Sequence, residues 1–163
     1  MVMGELPGNF PFDPHSFDLI TLLDVLEHLD DDQESLKRLY EALKPGGHLV
    51  MTVPAFQFLW SSHDLAHHHK QRYRLLELKQ KLTNAHFKIR CLSYFNTTLF
   101  PAIALFRLLK KGGSGGDELH LPPEPLNKIL AFIFGSEKYL IGRLPLPFGV
   151  SIIACAEKVS GLE

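Results

Sequence analysis

The chain lacks an excess of charge of either sign. Seventeen Lys and Arg stand against 18 Asp and Glu over 163 residues, a formal net charge of −1. No global field therefore draws it to nucleic acid or to an anionic bilayer. Long apolar runs are missing as well. The longest stretches, near Leu99–Phe106 and Leu130–Phe134, fall well short of the roughly 20 residues that span a bilayer. Met1-Val2-Met3-Gly4-Glu5 has neither a basic start nor an apolar core, so it does not read as a signal peptide. Cysteine is scarce. Cys91 and Cys155 lie far apart in apolar, strand-like runs, which reads as two buried reduced thiols in a cytoplasmic setting. Internal repeats are absent. With 45% hydrophobic and 21% charged residues, the chain has the make-up of one ordinary globular domain over residues 1–163, with a core of its own. The closing Leu162-Glu163 resembles a vector-derived junction and is set aside from the fold.

What is present begins with Phe17-Asp18-Leu19-Ile20-Thr21-Leu22-Leu23. It is nearly all apolar, too short for a lone helix and bounded by turn residues, and so reads as a strand buried on both faces of a parallel sheet. It ends on three ionisable residues, Asp24, Glu27 and His28. In open α/β sheets, ligands sit just past such carboxyl ends.

A helix follows. Asp30 or Asp31 can cap it, and Glu34 three residues after Asp31 approaches a capping box. Leu36, Leu39, Tyr40 and Leu43 form one apolar stripe, and Lys44-Pro45-Gly46-Gly47 stops the helix. His48–Val53 reads as a second strand, closed by Pro54, completing a parallel crossover. Residues 55–73 have neither period and hold a polar cluster of His63, Asp64, His67, His68, His69, Arg72 and Tyr73 beside Trp60. An ordered loop of that length inside a domain is usually functional. Leu75, Leu78, Leu82 and Ala85 space out another helix, and Phe87–Leu92 alternates as an edge strand. Residues 95–143 read as a helical insertion, apolar over Phe95–Leu109 and again from Pro125 to Arg143, with a flexible linker at Lys111–Asp117. Val150–Ala156 is the final strand.

Three segments together, Phe17-Asp18-Leu19-Ile20, Asp24-Val25-Leu26-Glu27-His28-Leu29 and Leu43-Lys44-Pro45-Gly46-Gly47-His48-Leu49-Val50, resemble the class I S-adenosylmethionine-dependent methyltransferases, in the small-molecule branch with "LEH" and "LKPGG" segments. The resemblance implies an α/β fold: a partial Rossmann-like sheet, mostly parallel, whose antiparallel last strand inserts between two others, with a helical cap. The glycine-rich turn that in the family cradles the methionine moiety has no counterpart in these residues, nor has the acid that holds the ribose. The chain therefore reads as the carboxyl-terminal portion of such a domain, inactive by itself, with an incomplete site for S-adenosylmethionine.

The resemblance also implies roles for residues. Gly4-Glu5-Leu6 matches the segment that lines the adenine, with Glu5 accepting from its amino group and Leu6 offering a backbone amide. The other reading of Glu5 is a plain loop acid. Leu23 and Asp24 should border the cofactor, unless Asp24 only shapes the turn. His28, with Glu27, is the candidate near the reacting methyl. An imidazole suits removal of an acceptor proton, while the pair can instead simply orient the loop before Asp30. The segment His63–Tyr73 is similar to a loop in one branch, with Gln71 in place of the first arginine of an Arg-Arg-Tyr, and reads as a lid over residues 55–73 with His63, His69, Arg72 and Tyr73 facing the substrate. His63 and His67 at i, i+4 have a chelating spacing, read here as adventitious nickel or zinc binding and not as a catalytic metal. The helices read first as a simple packed cap that makes the acceptor site apolar, with a lipid-like or isoprenoid acceptor or a membrane surface as the other readings. That leaves a rival function as a non-catalytic binding or membrane-peripheral module built on the helices after Tyr94. A metal-dependent phosphohydrolase is a distant third, because no second His/Asp cluster is visible. With its upstream neighbour missing, the first strand becomes an apolar edge, from which homo-oligomers are expected.

Overall fold

Strand β1 (Phe17–Leu23) runs parallel to β2 (Leu43–Pro54), and helix α1 (Asp32–Ala42) joins them. In the computed structural model, the described residues are 4–98, 100–109, 123–141 and 143–159. Helix α3 (Leu75–Asn84) leads into β3 (Phe87–Phe95), and the chain returns at β4 (Ser151–Lys158). The sheet order is β1-β2-β4-β3, with β4 antiparallel to both neighbours. Three strands thus share one direction and the last opposes them, the arrangement the resemblance implies. A short helix α2 (Ser62–Ala66) interrupts the segment after β2, and α4 (Phe100–Leu109) and α5 (Glu124–Ser136) form the helical part. The linker expected at 111–117 and the terminal Leu162-Glu163 lie outside the described residues. Among the described residues no helix is long and apolar enough to cross a membrane.

Local chemistry explains most of these elements. Asp31 is the residue that caps α1: its carboxylate accepts from the Glu34 amide at 2.9 Å. The helix stops at Ala42, and the extended strand begins at Leu43, five residues ahead of His48. The extra residues form a bulge, because Phe17 pairs with Leu43 while Leu19 pairs with His48. Pro45 has no N–H for a ladder and Gly46 takes φ +80°, so Lys44–Gly47 loops out of register instead of ending the helix.

α1 and α3 cover one face of the sheet. Leu36 and Leu39 from α1 and Leu78 and Leu82 from α3 pack on Leu49, Met51, Val53, Ile152, Ala154 and Ala156. Lys81 of α3 pairs with Asp32 of α1 at 2.8 Å. This corrects the reading of β1 as buried on both faces. Only Leu22 is buried in that strand, while Leu19 is 55% and Leu23 58% exposed. Among the described residues no strand lies outside β1 and no helix covers its second face. The two cysteines also differ from expectation. Cys91 and Cys155 are direct cross-strand neighbours on β3 and β4, half-buried and unbridged. Burial, then the neighbouring Cys91, pushes the Cys155 thiol up.

Candidate functional site

The carboxyl ends of β1 and β2 lie side by side, with Leu23 opposite Thr52. Asp24 leaves β1 in the left-handed conformation, φ 51°, which aspartate tolerates better than most residues. Its amide donates to the Thr52 carbonyl at 3.1 Å and to Thr52 Oγ1 at 3.2 Å, so the chain turns sharply at that point. A 3-10 turn over Leu26–His28 follows and tucks Glu27 inside, fully buried. Neither carboxylate oxygen of Glu27 has a hydrogen-bond partner among the described residues. Burial, with Asp24 adding to it, raises its pKa to about 7.

The segment after β2 folds over this turn. It is fastened at its far end by a parallel bridge: Tyr73 donates its amide to the Pro54 carbonyl, and Phe56 donates to the Tyr73 carbonyl, both at 2.9 Å. In the middle, the Lys70 amide donates to the backbone carbonyl of Glu27 at 2.8 Å. Lys70 also pairs with Asp30. Asp64 is the hub. It is fully buried on α2 and takes a bidentate pair from Arg72, Nε at 2.8 Å and Nη2 at 3.0 Å. It also accepts from the Ser61 amide at 2.9 Å and holds His69 Nδ1 at 2.9 Å. Burial works against its ionisation, yet Arg72, Ser61 and His69 together keep the carboxyl below the usual range. A carboxylate so held can only accept. The Nδ1 proton therefore belongs to His69, whose Nε2 is the ring nitrogen not engaged by Asp64. His69 and His28 stand edge to face with ring centroids 4.8 Å apart.

These contacts sort the candidate residues. His28 and His69 are brought together, and Leu23 and Asp24 stand next to them at the strand end. His63 lies one helical turn from His67, with ring centroids 4.2 Å apart, and 6.4 Å from His69. The placement of Arg72 and Tyr73 on a substrate-facing surface is overturned. Arg72 turns inward to Asp64 and donates Nη1 to the Ala55 carbonyl at 3.1 Å. Tyr73 is fully buried and donates its hydroxyl to Asp32 Oδ2 at 2.9 Å. Burial and the adjacent Asp32 push that phenol far above its ordinary value. Gln71 belongs to the same network, donating to Asp32 at 2.8 Å and to the Tyr73 hydroxyl at 2.6 Å. A guanidinium at position 71 is thus replaced by an amide that serves the core. Glu27, paired with His28 in the sequence reading, is fully buried. Gly4 and Glu5 are exposed and Leu6 packs on the core edge, with the Glu5 amide bonded locally to Asn9 at 2.8 Å. The loop they open runs to the other end of the sheet, where Pro7, Gly8 and Phe10 face Arg38 and Glu41. Asp64, which sequence reasoning left out of the candidate site, is the residue that joins Arg72, Ser61 and His69, and the His-Asp pair at 63–64 was its signal.

An aromatic wall flanks this polar cluster. Phe56, at φ 57° just past β2, stacks on Tyr94 with centroids 4.9 Å apart. Phe58 and Phe100 close over it at 5.3 Å and 5.6 Å, so the start of α4 caps the carboxyl end of β2.

Comparison with known proteins puts this geometry in context. A family described as a methyltransferase domain matches residues 5–92, just over half of the chain. Demethylmenaquinone methyltransferase of Staphylococcus epidermidis is 37% identical over 59 residues, 32% of this chain and 24% of that protein. The chain spans no more than about a quarter of the curated relatives it matches. Among solved structures, a chain in the complex of the Haloferax volcanii Trm112 methyltransferase activator with a methyltransferase has TM-score 0.55 at 14% identity, covering 95% of this chain and 59% of that one. Haemonchus contortus phosphoethanolamine N-methyltransferase 2, solved with S-adenosyl-L-methionine, has TM-score 0.53 at 19% identity, covering 93% of this chain and 35% of that one. At these identities the likeness is one of fold.

Proposed function

This chain belongs to the methyltransferase-domain family, and on that premise we propose that it serves S-adenosylmethionine-dependent methyl transfer to a small-molecule acceptor. The observation that carries the reading is where the family match falls. It spans β1 and β2 and the whole turn Leu23–His28 at their carboxyl ends, where open α/β sheets bind ligands.

The residues present fit one side of the cofactor. Leu23, 58% exposed, and the exposed Val25 offer apolar surface, with the Asp24 carboxylate between them. That combination suits an apolar-bodied cation with a nucleoside. The family pattern assigns Gly4, Glu5 and Leu6 to the adenine, but their loop bonds locally to Asn9 and adds nothing to the surface at Leu23 and Asp24. When bound, S-adenosylmethionine supplies an electrophilic methyl group on a sulfonium. His28 and His69 then face the acceptor, and positioning supplies much of the acceleration in such an in-line displacement. Where the acceptor carries a proton, His28 is the group to take it. The wall of Phe56, Phe58 and Phe100 favours an acceptor with an apolar body.

The test is titration of the 163-residue chain with S-adenosylhomocysteine in a calorimeter. These residues carry no glycine-rich turn, so we expect heats too weak for micromolar affinity. Micromolar binding would show that the pocket is complete without that turn. The cytoplasmic setting, and pairing of copies through the open edge of β1, belong to the same proposal.

A second reading, a membrane-peripheral module, is favoured by one observation. Leu105 on α4 and Ile129 and Phe132 on α5 are exposed, Phe132 by 78%. Flotation with vesicles separates the two. The methyl-transfer reading expects the chain to stay at the bottom of the gradient, and co-flotation that Phe132→Ser abolishes would favour the module.

A further inference from the structure

We propose that Glu27, His28 and His69 form a binding site for one borderline divalent transition-metal ion, with Zn²⁺ as the probe, and that Asp64 holds His69 in the ligating orientation. One carboxylate oxygen and two imidazole nitrogens from these residues lie within 4.8 Å of one another. A tetrahedral shell with bonds near 2.1 Å places its donors about 3.4 Å apart, a closure that side-chain rotation supplies. Two segments more than forty residues apart meet there, and the Lys70-to-Glu27 backbone bond holds them together whatever their side chains are.

Two independent observations point to a ligand. The first is Glu27. It is fully buried, and both its carboxylate oxygens lack a partner among the described residues. Buried polar groups are almost always satisfied, and one that is not calls for an ion, a water or a function. The second is the chain Arg72–Asp64–His69. Asp64, clamped by Arg72, accepts the Nδ1 proton of His69 at 2.9 Å and leaves Nε2 as a donor. A carboxylate behind a ligating imidazole fixes both its tautomer and its ring. Two imidazoles and one carboxylate suit the borderline divalent ions better than Mg²⁺ or Ca²⁺, which want oxygen. Three protein donors also leave a coordination position open, the mark of a site that takes a further oxygen or nitrogen ligand. Among the described residues, the i, i+4 pair His63 and His67, which sequence spacing alone would choose, is not part of the converging group of ligand atoms. In the ion-loaded chain His28 is a ligand and not the proton acceptor described above. The site rests on its own geometry and not on the methyl-transfer reading, so cofactor titration and ion titration fail independently.

The test adds Co²⁺ to chelator-treated protein, follows its visible absorption, and then measures competition by Zn²⁺. One ion per chain is expected. Glu27→Gln and His69→Gln should each weaken binding by at least the roughly 10–100-fold that losing even an outer partner costs. The double variant His63→Gln, His67→Gln should bind like the parent. Because the Glu27 carboxylate has no hydrogen-bond partner to lose among the described residues, Glu27→Gln remains folded and informative even if His69→Gln does not. The proposal is overturned by three results: no stoichiometric binding, affinity unchanged by Glu27→Gln, or affinity lost only in the His63, His67 variant.

Discussion

In chelator-treated protein, Glu27→Gln removes a loss of stability that the parent chain suffers as pH rises through neutrality. The folded-state pKa of Glu27 stands at about 7 against an ordinary 4.5. Below about pH 4.5 the group is protonated both folded and unfolded, and it costs nothing extra. Between 4.5 and 7 the unfolded chain releases the proton while the folded chain keeps it, so stability falls with rising pH. At about 1.4 kcal/mol for each pH unit, the loss levels off near 3 kcal/mol above pH 7. The amide of the variant does not titrate. Urea unfolding at pH 5 and pH 8 should therefore give a stability difference between the two proteins that moves by about 2.5 kcal/mol in favour of Gln at the higher pH, part of the loss being complete by pH 5. A constant difference would mean that Glu27 reaches solvent or a partner. The effect follows from a carboxylate enclosed without a hydrogen bond, the costliest way to bury a charge.

Arg72→Leu should destabilise the chain by about 3–5 kcal/mol at pH 7, the cost of stranding one member of a buried ion pair. Asp64 would keep its contacts to Ser61 and His69 but lose the bidentate clamp and the tie to Ala55. In the parent, Asp64 has a lowered pKa. Its contribution is complete above about pH 4 and disappears as pH falls through the lower folded value. In the variant that contribution is already missing at neutrality, so acid should destabilise it less than the parent. The double variant Asp64→Asn, Arg72→Leu should recover part of the loss, since neither charge is then stranded. A cost under about 1 kcal/mol for Arg72→Leu would return Arg72 to the surface of a lid.

The contrast between these residues shows what a sequence can and cannot reveal. β1, α1, β2 and β4 were legible because their signals are local: an apolar run, a cap at Asp31 with Glu34 beyond it, a stripe at helical spacing, a run of small and branched residues. The insertion of β4 between β2 and β3 came from the family resemblance, not from any local pattern. The exposure of Leu19 and Leu23 was not legible, because burial depends on which strands and helices stand alongside. The histidine-rich segment misled in an instructive way. His69, Arg72 and Tyr73 look alike in sequence, polar groups in an aperiodic stretch. Only the third dimension turns Arg72 towards Asp64 and Tyr73 towards Asp32, and sets His69, also held by Asp64, against His28. Glu27 and His28 follow directly on the end of β1, where the α/β rule directs attention. That one is sealed and the other half-open depends on what packs around the 3-10 turn, which their adjacent places in the chain do not reveal.

The position of β4 has a consequence for how the protein is made. β2 and β3 are both completed within the first 95 residues, yet each is hydrogen-bonded to β4 and not to the other. A growing polypeptide thus carries two halves of a sheet with a strand-wide gap until residues 151–158 emerge from the ribosome. At about 5–20 residues per second, that interval lasts seconds, and throughout it the backbone groups that β4 will satisfy stand bare on both sides of the opening.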